Sequence, residues 1–451
     1  MNIADWLRNY YYRALVHIFT FIIPKDKKIL HIGCKDGRIL AQLHASRGVG
    51  IDDNPTTVAS AKANYPSLTF YSTSPENFSP TEKFDFIILS AIGTIRDLYK
   101  VFEIIRAASH KETRVIIHYH NYFWEPFLSL AGRLSLKEPQ PIQNWLTLDD
   151  IGNFLYVSGI DVIRKGRELL FPFYIPLLST FFNKYLARLP LLQNLCLIQY
   201  MIVRPIVRET QPLSVSVIVP VRNEKGNIEC AAKAIPKMGK HTEIIFVEGN
   251  SVDGTKEEIK RVIDSYKHKD IKLLEQKGRG KWDAVTLGFD HASGNVLMIC
   301  DGDLTVPPED LSKFYEVIRS GKGEFVNASR FVYQMEGYAM PFVNKVVNKS
   351  FSIVLKWILG QRLTDTLCGT KVLLKRDYLE MKKQHFFLPE DKFGDFSLIF
   401  GATRMHLKII EIPIAYKIRT YGNTKISGFS SGWLLLRMMF KGMKIFKFFN
   451  I

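Results

Sequence analysis

Acidic residues are in short supply: 44 Asp and Glu stand against 61 Lys and Arg in 451 residues, a formal charge of +17. No helix-turn-helix signature, zinc-finger spacing or RNA-recognition motif accompanies that surplus, which argues against nucleic acid as the partner and for an anionic membrane surface. Cysteine is sparse. Cys34, Cys196, Cys230, Cys300 and Cys368 are scattered, most of them within apolar runs, and form no Cys-x-x-Cys pair. They read as reduced, buried side chains in a cytosolic environment. No apolar run is long enough to cross a bilayer. The greasiest stretch, residues 169–203, is broken by Lys184 and Arg188 and contains Pro172, Pro176 and Pro190, so each uncharged piece falls short of the roughly 18 to 20 residues required. It reads as buried or interfacial helices closing a first domain. The opening MNIAD lacks the basic start and cleavage site of a signal peptide, so the expected location is cytoplasmic, peripheral at the inner face of the cell membrane. Repeats and low-complexity tracts are absent, and a hydrophobic fraction of 47% against 23% charged residues excludes extensive disorder. The length suits two domains.

What is present begins with an apolar strand, VLMIC, running into Asp301-Gly302-Asp303. Two carboxylates at a strand end offer hard oxygen ligands to Mg²⁺ or Mn²⁺ while leaving coordination positions for substrate phosphates. Asp-x-Asp alone occurs in many solvated turns. Its neighbours give it meaning. SVSVIVPVRNE alternates Val215, Val217 and Val219 before Pro220, Asn223 and Glu224, and EIIFVEGNSVDGT ends an apolar run at Glu248 with Asp253 in the following turn. Strands alternating with helices predict parallel β-α-β units, with ligands bound outside the carboxyl ends of the strands. Glu224, Glu248, Asp253, Asp301 and Asp303 would converge there.

The strings VPVRNE, EGNSVDGT, GKWDAVTLGFDHASGNVLMICDGDL, NASRF, DTLCGTK and IPIAYKIRTYGNTKIS resemble, in this order, the family-two glycosyltransferases, and among them the dolichyl-phosphate or polyprenyl-phosphate sugar synthases. The resemblance covers the C-terminal half and implies a GT-A fold. It also implies that Pro220, Asn223, Glu224, Glu248, Asp253, Lys281 and Asp301 bind the nucleotide-sugar, that Asp301 and Asp303 hold the metal, and that Arg330, Arg419 and Lys425 hold an acceptor phosphate. Asp395 falls where the family has an acid near the acceptor, so Asp303, Arg330 and Asp395 are the expected catalytic residues. Trp282 stands where Gly is common, and Gly249-Asn250 replaces the usual Asp-Gly.

The implied chemistry is inverting transfer of a hexose from a nucleotide-sugar to polyprenyl phosphate, in cell-envelope glycan assembly. A nucleoside diphosphate leaves readily only when its charge is neutralised, by the cation and Lys281. A lipid phosphate is already ionised and needs no strong base, only positioning by Arg and Lys. A glycan hydroxyl acceptor is the alternative, and would need Asp395 as base. A non-catalytic scaffold is the second alternative.

In the N-terminal half, an apolar run through His31-Ile32 meets Gly33-Cys34-Lys35-Asp36-Gly37 and then a helical pattern, and GVGIDDN ends a second strand at Asp52. A glycine turn between strand and helix lets a ligand approach the backbone. FDFIILS supplies a strand beginning after Asp85, and RVIIHYHN another. This order resembles the class I S-adenosylmethionine-dependent methyltransferases over about the first 165 residues. The resemblance implies a Rossmann-like fold with Gly33, Gly37 and Asp52 binding S-adenosylmethionine. His31 stands where that family has an acid, Lys35 replaces a loop glycine, and Ser74 replaces an adenine-contacting acid. A degenerate fold that positions the transferase is the other reading. His118 and His120 share a strand face but lack further ligands at recognisable spacing, so no zinc site is expected.

The expected architecture is therefore α/β with two doubly wound domains. Residues 1–207 form the methyltransferase-like domain with an apolar helical extension, 208–213 a polar linker, 214–425 the GT-A domain, and 426–451 a basic amphipathic helix. In that helix Arg437, Lys441 and Lys444 share one face with Lys447 beside them, amid Leu, Met, Ile, Phe and Trp, a pattern drawn to anionic lipid headgroups.

Overall fold

Ile29 and Leu30, neighbours in strand β1 (Lys28–Ile32), are buried in two different cores on opposite faces of one sheet. The same alternation runs through β4 (Phe84–Leu89), where Phe86 and Ile88 join one core and Ile87 and Leu89 the other. Strands buried on both faces need near-continuous apolar runs, which is why KILHI and FDFIIL form the sheet centre. The computed structural model describes residues 3–90, 92–133, 146–207, 211–332, 342–419, 421 and 428–448. It divides into two units, Met1–Ile206 with Lys447–Ile451, and Val207–Phe446.

The first unit is a seven-stranded sheet in the order β3-β2-β1-β4-β5-β7-β6. Its other strands are β2 (Arg47–Asp52), β3 (Thr69–Ser72), β5 (Ser109–His120), β6 (Ile160–Glu168) and β7 (Ile198–Pro205). β1 to β5 are parallel, and β7 runs antiparallel to both its neighbours. Helices cover the faces by ordinary periodicity. In Leu98–Ala107, Leu98, Val101, Phe102 and Ile105 are buried at helical spacing, and Asp97 caps the start by accepting from the Lys100 amide at 3.0 Å.

Several expectations change here. The stretch at 169–203 is helical only in part: Leu178–Thr180, Phe181–Tyr185 and Leu186–Arg188 follow one another as a single helical run and Leu192–Leu195 adds a turn, but residues from Ile198 onward are β7, wholly buried. Its β-branched residues favour the strand. β4 begins at Phe84, before Asp85, whose carboxylate accepts the Lys28 amide at 2.8 Å. Cys230 is exposed, unlike the other four cysteines.

The second unit is also a seven-stranded mixed sheet, ordered β10-β9-β8-β11-β13-β12-β14. Its strands are β8 (Val215–Val221), β9 (Thr242–Glu248), β10 (Asp270–Glu275), β11 (Val296–Ile299), β12 (Phe325–Ser329), β13 (Lys371–Leu374) and β14 (Ile409–Pro413). Only β13 is antiparallel, pairing with β11 and β12. The carboxyl ends of the other six therefore share one edge with the amino end of β13. That edge receives the site.

The helix Gly428–Phe446 turns Leu435, Met438 and Phe446 into the core of this unit, where Phe446 meets Phe400 edge to face. Lys441 and Arg437 reach Glu390 at 2.6 and 3.6 Å. Part of the basic stripe is thus paired within the protein, while Trp433, Leu436 and Phe440 are exposed. Among the described residues no helix is long and apolar enough to cross a membrane.

Candidate active site

A cavity of about 850 Å³ opens at the shared strand edge of the second unit. It is lined by Pro220 and Glu224 from the end of β8, Lys281, Asp301 and Asp303 after β11, Arg330 after β12, Arg419 beyond β14, and Asp395. Eight of the expected residues meet there. Asn223, Glu248 and Asp253 do not line it. Asn223 instead ties two loops together, its amide donating to Ser251 Oγ at 2.9 Å and its Oδ1 accepting from the Val252 amide. Glu248 accepts the Ser251 amide. Burial acts to raise the Asp253 carboxyl, yet bonds from Thr255 and the Lys225 amide hold it below the ordinary value. These three acids and amides shape the loops that border the cavity. Lys425 lies outside the described residues, as do Arg208, Glu209 and Thr210 of the expected linker.

The acids are neutralised by neighbouring cations. Lys281, at the start of the helix Lys281–His291, donates to Asp301. Burial opposes both charges, but their mutual attraction prevails, raising the ammonium above and lowering the carboxyl below its usual range. Gly369 makes room for this pair, because a Cβ there would lie 2.1 Å from Lys281 Nζ. Arg419 donates to Asp303 at 2.5 Å and reaches Glu224 at 3.4 Å. Gly302 is needed for space rather than for a turn: a Cβ would come within 2.8 Å of Val221, and it is Leu304 that adopts positive φ.

Arg330 is held from below. Its Nε and one terminal nitrogen donate to Asp365 at 2.7 and 2.8 Å, and its guanidinium lies 5.2 Å from the ring centre of Tyr416. Burial disfavours its charge, and Asp365 more than restores it. Asp395, first residue of the helix Asp395–Arg404, accepts from the fully buried Lys371 at 2.6 Å. Nearby Asp391 is raised by burial and then by the charge of Asp395. Burial pushes the Cys368 thiol, also on the cavity, up to about 12, so it is no nucleophile.

The two departures from the glycosyltransferase pattern are accommodated locally. Asn250 takes φ 59, a left-handed conformation that Asn tolerates almost as glycine does. Trp282 packs over Gly394, where an added Cβ would meet its ring at 1.9 Å.

Sequence reasoning missed Gln276, Asp365, Lys371 and Tyr416. Gln276 follows β10, a fourth parallel strand whose end could have been counted with the other three; its side chain donates to Gly280 O and to Asp283, both at 2.8 Å. Lys371 begins an antiparallel strand, so its amino end, not its carboxyl end, faces the site.

As a donor set, Asp301 and Asp303 fit a hard divalent cation that keeps open positions for phosphate oxygens. Among the described residues no cluster of three or more His, Cys, Asp or Glu side chains could hold a metal alone.

In the first unit, a smaller cavity of about 380 Å³ is lined by Gly33, Asp52, Asp53, Ser74 and Arg96, among others. Asp52 accepts the Lys35 amide at 2.8 Å and the Asn54 amide at 3.1 Å. Gly37 has φ 74, and a Cβ there would strike Phe70. Beyond the glycine turn, Ser90 Oγ lies 2.7 Å from Nε2 of both His31 and His118. Burial lowers both imidazoles to about 3, helped at His118 by the charge of Lys35. Asp52 and Gly33 suit a nucleoside, while Lys35, whose amide Asp52 accepts, places a positive charge in the adjoining turn that opposes a sulfonium cofactor. No methyl-transfer step is derived from this cavity.

Residues 216–381 match the model of Glycosyl transferase family 2, so the second unit carries a domain of that family. Similar proteins are the dolichol-phosphate mannosyltransferase of Pyrococcus furiosus (30% identical, covering 48% of this chain and 60% of that protein) and its namesake in Saccharomyces cerevisiae (29%, covering 47% and 81%). An undecaprenyl-phosphate 4-deoxy-4-formamido-L-arabinose transferase of Pectobacterium atrosepticum is 26% identical over 48% of this chain and 63% of its own length. The chain thus spans under two thirds of the first and third of these relatives. Among solved structures, an S-adenosylmethionine-dependent methyltransferase from Mesorhizobium loti covers 42% of this chain and 95% of its own (16% identity, TM-score 0.33). Glucosyl-3-phosphoglycerate synthase from Mycobacterium tuberculosis covers 52% and 80% (16% identity, TM-score 0.38).

Proposed function

We propose that this protein transfers a sugar from a nucleotide-sugar donor to polyprenyl phosphate. The observation that carries the choice of acceptor is the Lys371–Asp395 pair: the acid available as a base is already neutralised by a buried ammonium. A hydroxyl acceptor would need that base free; a phosphate arrives ionised and needs cations to hold it. The names of the relatives support the same acceptor class.

In this reading Asp301 and Asp303 would hold Mg²⁺ or Mn²⁺, which when bound supplies charge neutralisation to the departing diphosphate. Lys281 adds a fixed positive charge beside Asp301. Pro220 and Glu224 border the nucleotide, with Asn223, Glu248 and Asp253 holding the adjacent loops in shape. Arg330, braced by Asp365, presents a charge that costs little to orient, and Arg419 supplies a second cation for phosphate, with Lys425 as a third. The exposed Trp433, Leu436 and Phe440 of the helix Gly428–Phe446 support contact with the anionic membrane surface in which such an acceptor resides. The inner face of the cell membrane is the proposed location.

The test is incubation of the full chain with a panel of nucleotide-sugars, Mn²⁺, a short polyprenyl phosphate and an oligosaccharide acceptor, with mass spectrometry of the lipid and glycan fractions. A glycosylated phospholipid product supports the proposal. Donor turnover yielding sugar only on glycan hydroxyls refutes the acceptor assignment.

A further inference from the structure

The first unit exposes apolar surface that neither cavity uses. Between residues 173 and 195 most large apolar side chains face solvent, with Leu177 86% and Leu191 83% exposed. Phe123, Phe127 and Leu130 add to it at 50%, 56% and 54%. The two stretches are joined: Trp124 Nε1 donates to Leu195 O at 2.7 Å, and the Asn121 amide nitrogen donates to Asn194 O and Cys196 O at 2.7 and 3.0 Å. Monomeric soluble proteins rarely carry a connected apolar surface of this extent without a partner for it.

This surface is built, not slack. Asn183 clamps both backbone groups of Phe171 at 2.8 Å, Ser179 Oγ donates to Phe173 O at 3.0 Å, and Arg188 is buried against Glu168. Leu177 is held at φ 65 and ψ −48, the strained centre of a γ-turn closed by the Leu178 amide on Pro176 O at 2.8 Å, so both its backbone and its exposure oppose its position in water. The segment fixes an apolar tip outward.

We propose that the first unit docks on the surface of an anionic phospholipid bilayer through this face. Charge selects that occupant. No acidic residue occurs from 169 to 208, the one acid of residues 121–133, Glu125, is offset by Arg133, Lys184 lies among the exposed aromatics, and the whole chain carries +17. Phe, Tyr and Trp flanking leucine tips are the side chains that enter the headgroup boundary without spanning the hydrocarbon. The face lies in a different unit from the helix Gly428–Phe446, and the two contacts are separable by substitution.

The experiment is co-sedimentation of the full chain with phosphatidylcholine vesicles, with and without phosphatidylglycerol. Wild type is expected to bind the anionic vesicles, and L177D/L191D to lose about tenfold or more in affinity. F440D reports the helix alone: its loss with an unaffected L177D/L191D would leave the second unit's contact standing and overturn this one. Hydrogen exchange on wild type adds an arm that needs no variant. Protection of 171–195 on adding anionic vesicles supports the proposal, and no change there overturns it. Self-association without lipid that L177D/L191D abolishes would assign the face to a second copy instead and equally overturn it.

Discussion

The buried ammonium of Lys371 lies 2.6 Å from the carboxylate of Asp395, and this pair decides what Asp395 can do. Lys371 also donates to Cys368 O, so its position is fixed from two sides. For phosphate as acceptor, Asp395→Asn should retain transfer within about tenfold, because no proton must be removed. Lys371→Met should cost about 3–5 kcal/mol of stability, since it strands a buried carboxylate. The double variant should recover most of that loss. Urea unfolding beside initial rates checks both; an inactive but fully folded Asp395→Asn would favour a hydroxyl acceptor.

Arg419 occupies, with its charge, the neighbourhood in which a divalent cation would be held. Its contacts with Asp303 and Glu224 predict two effects of Arg419→Ala that run in opposite directions. Mn²⁺ affinity in the absence of donor should tighten by about tenfold, because a competing cation is gone. The acceptor KM should rise by about tenfold or more as a phosphate-holding group is lost. Calorimetric Mn²⁺ titration and acceptor saturation curves measure these separately. An acceptor KM unchanged by the substitution would remove Arg419 from the phosphate site.

What the sequence made legible, and what it hid, follows from the range of the interactions. Asp301 and Asp303 were readable because an apolar strand and the acids after it are contiguous, and strand alternation fixes where the strand ends. Pro220 and Glu224 follow the same rule. The bracing of Arg330 by Asp365 was not readable: 35 residues separate them, and only tertiary folding joins them. Lys371 was hidden for a topological reason, since an antiparallel strand presents its amino end where parallel neighbours present carboxyl ends. Residues 198–203 read as helix in the sequence because a continuous apolar run carries no period that distinguishes the two structures. In Gly428–Phe446 the pattern was right and its partner incomplete, because a wide apolar sector can pack on a core with one edge and expose another.

The Ser90-bridged imidazoles predict acid sensitivity in the first unit. Burial sets His31 and His118 at about 3, below the ordinary unfolded value near 6.5. Between those limits the unfolded chain binds protons that the folded unit does not, so stability is intact above about pH 6.5 and falls as pH drops toward 3. At pH 5 the two histidines together should cost on the order of 2–4 kcal/mol. His118→Gln, which retains an amide to bond Ser90, should flatten the decline by about half. Thermal unfolding of the full chain from pH 7.5 to 4.5, followed by a probe in the first unit, tests it; parallel curves for wild type and variant would refute the assignment.

Lys35 predicts how the first unit responds to S-adenosylmethionine. It occupies a turn at φ 48, a conformation that favours glycine, and its amide is spent on Asp52. The backbone therefore does not require a lysine, while its charge acts near His118 and opposes a sulfonium. Wild type should show no heat on titration with millimolar S-adenosylmethionine. Lys35→Gly removes the charge and relieves the turn together, and should raise affinity by about tenfold or more if Asp52 and Gly33 retain a nucleoside-binding shape. S-adenosylhomocysteine, which lacks the sulfonium charge, separates the causes. If it binds wild type where the charged cofactor fails, repulsion by Lys35 is responsible; if neither binds even Lys35→Gly, the cavity has lost the nucleoside site itself and the unit serves in another capacity.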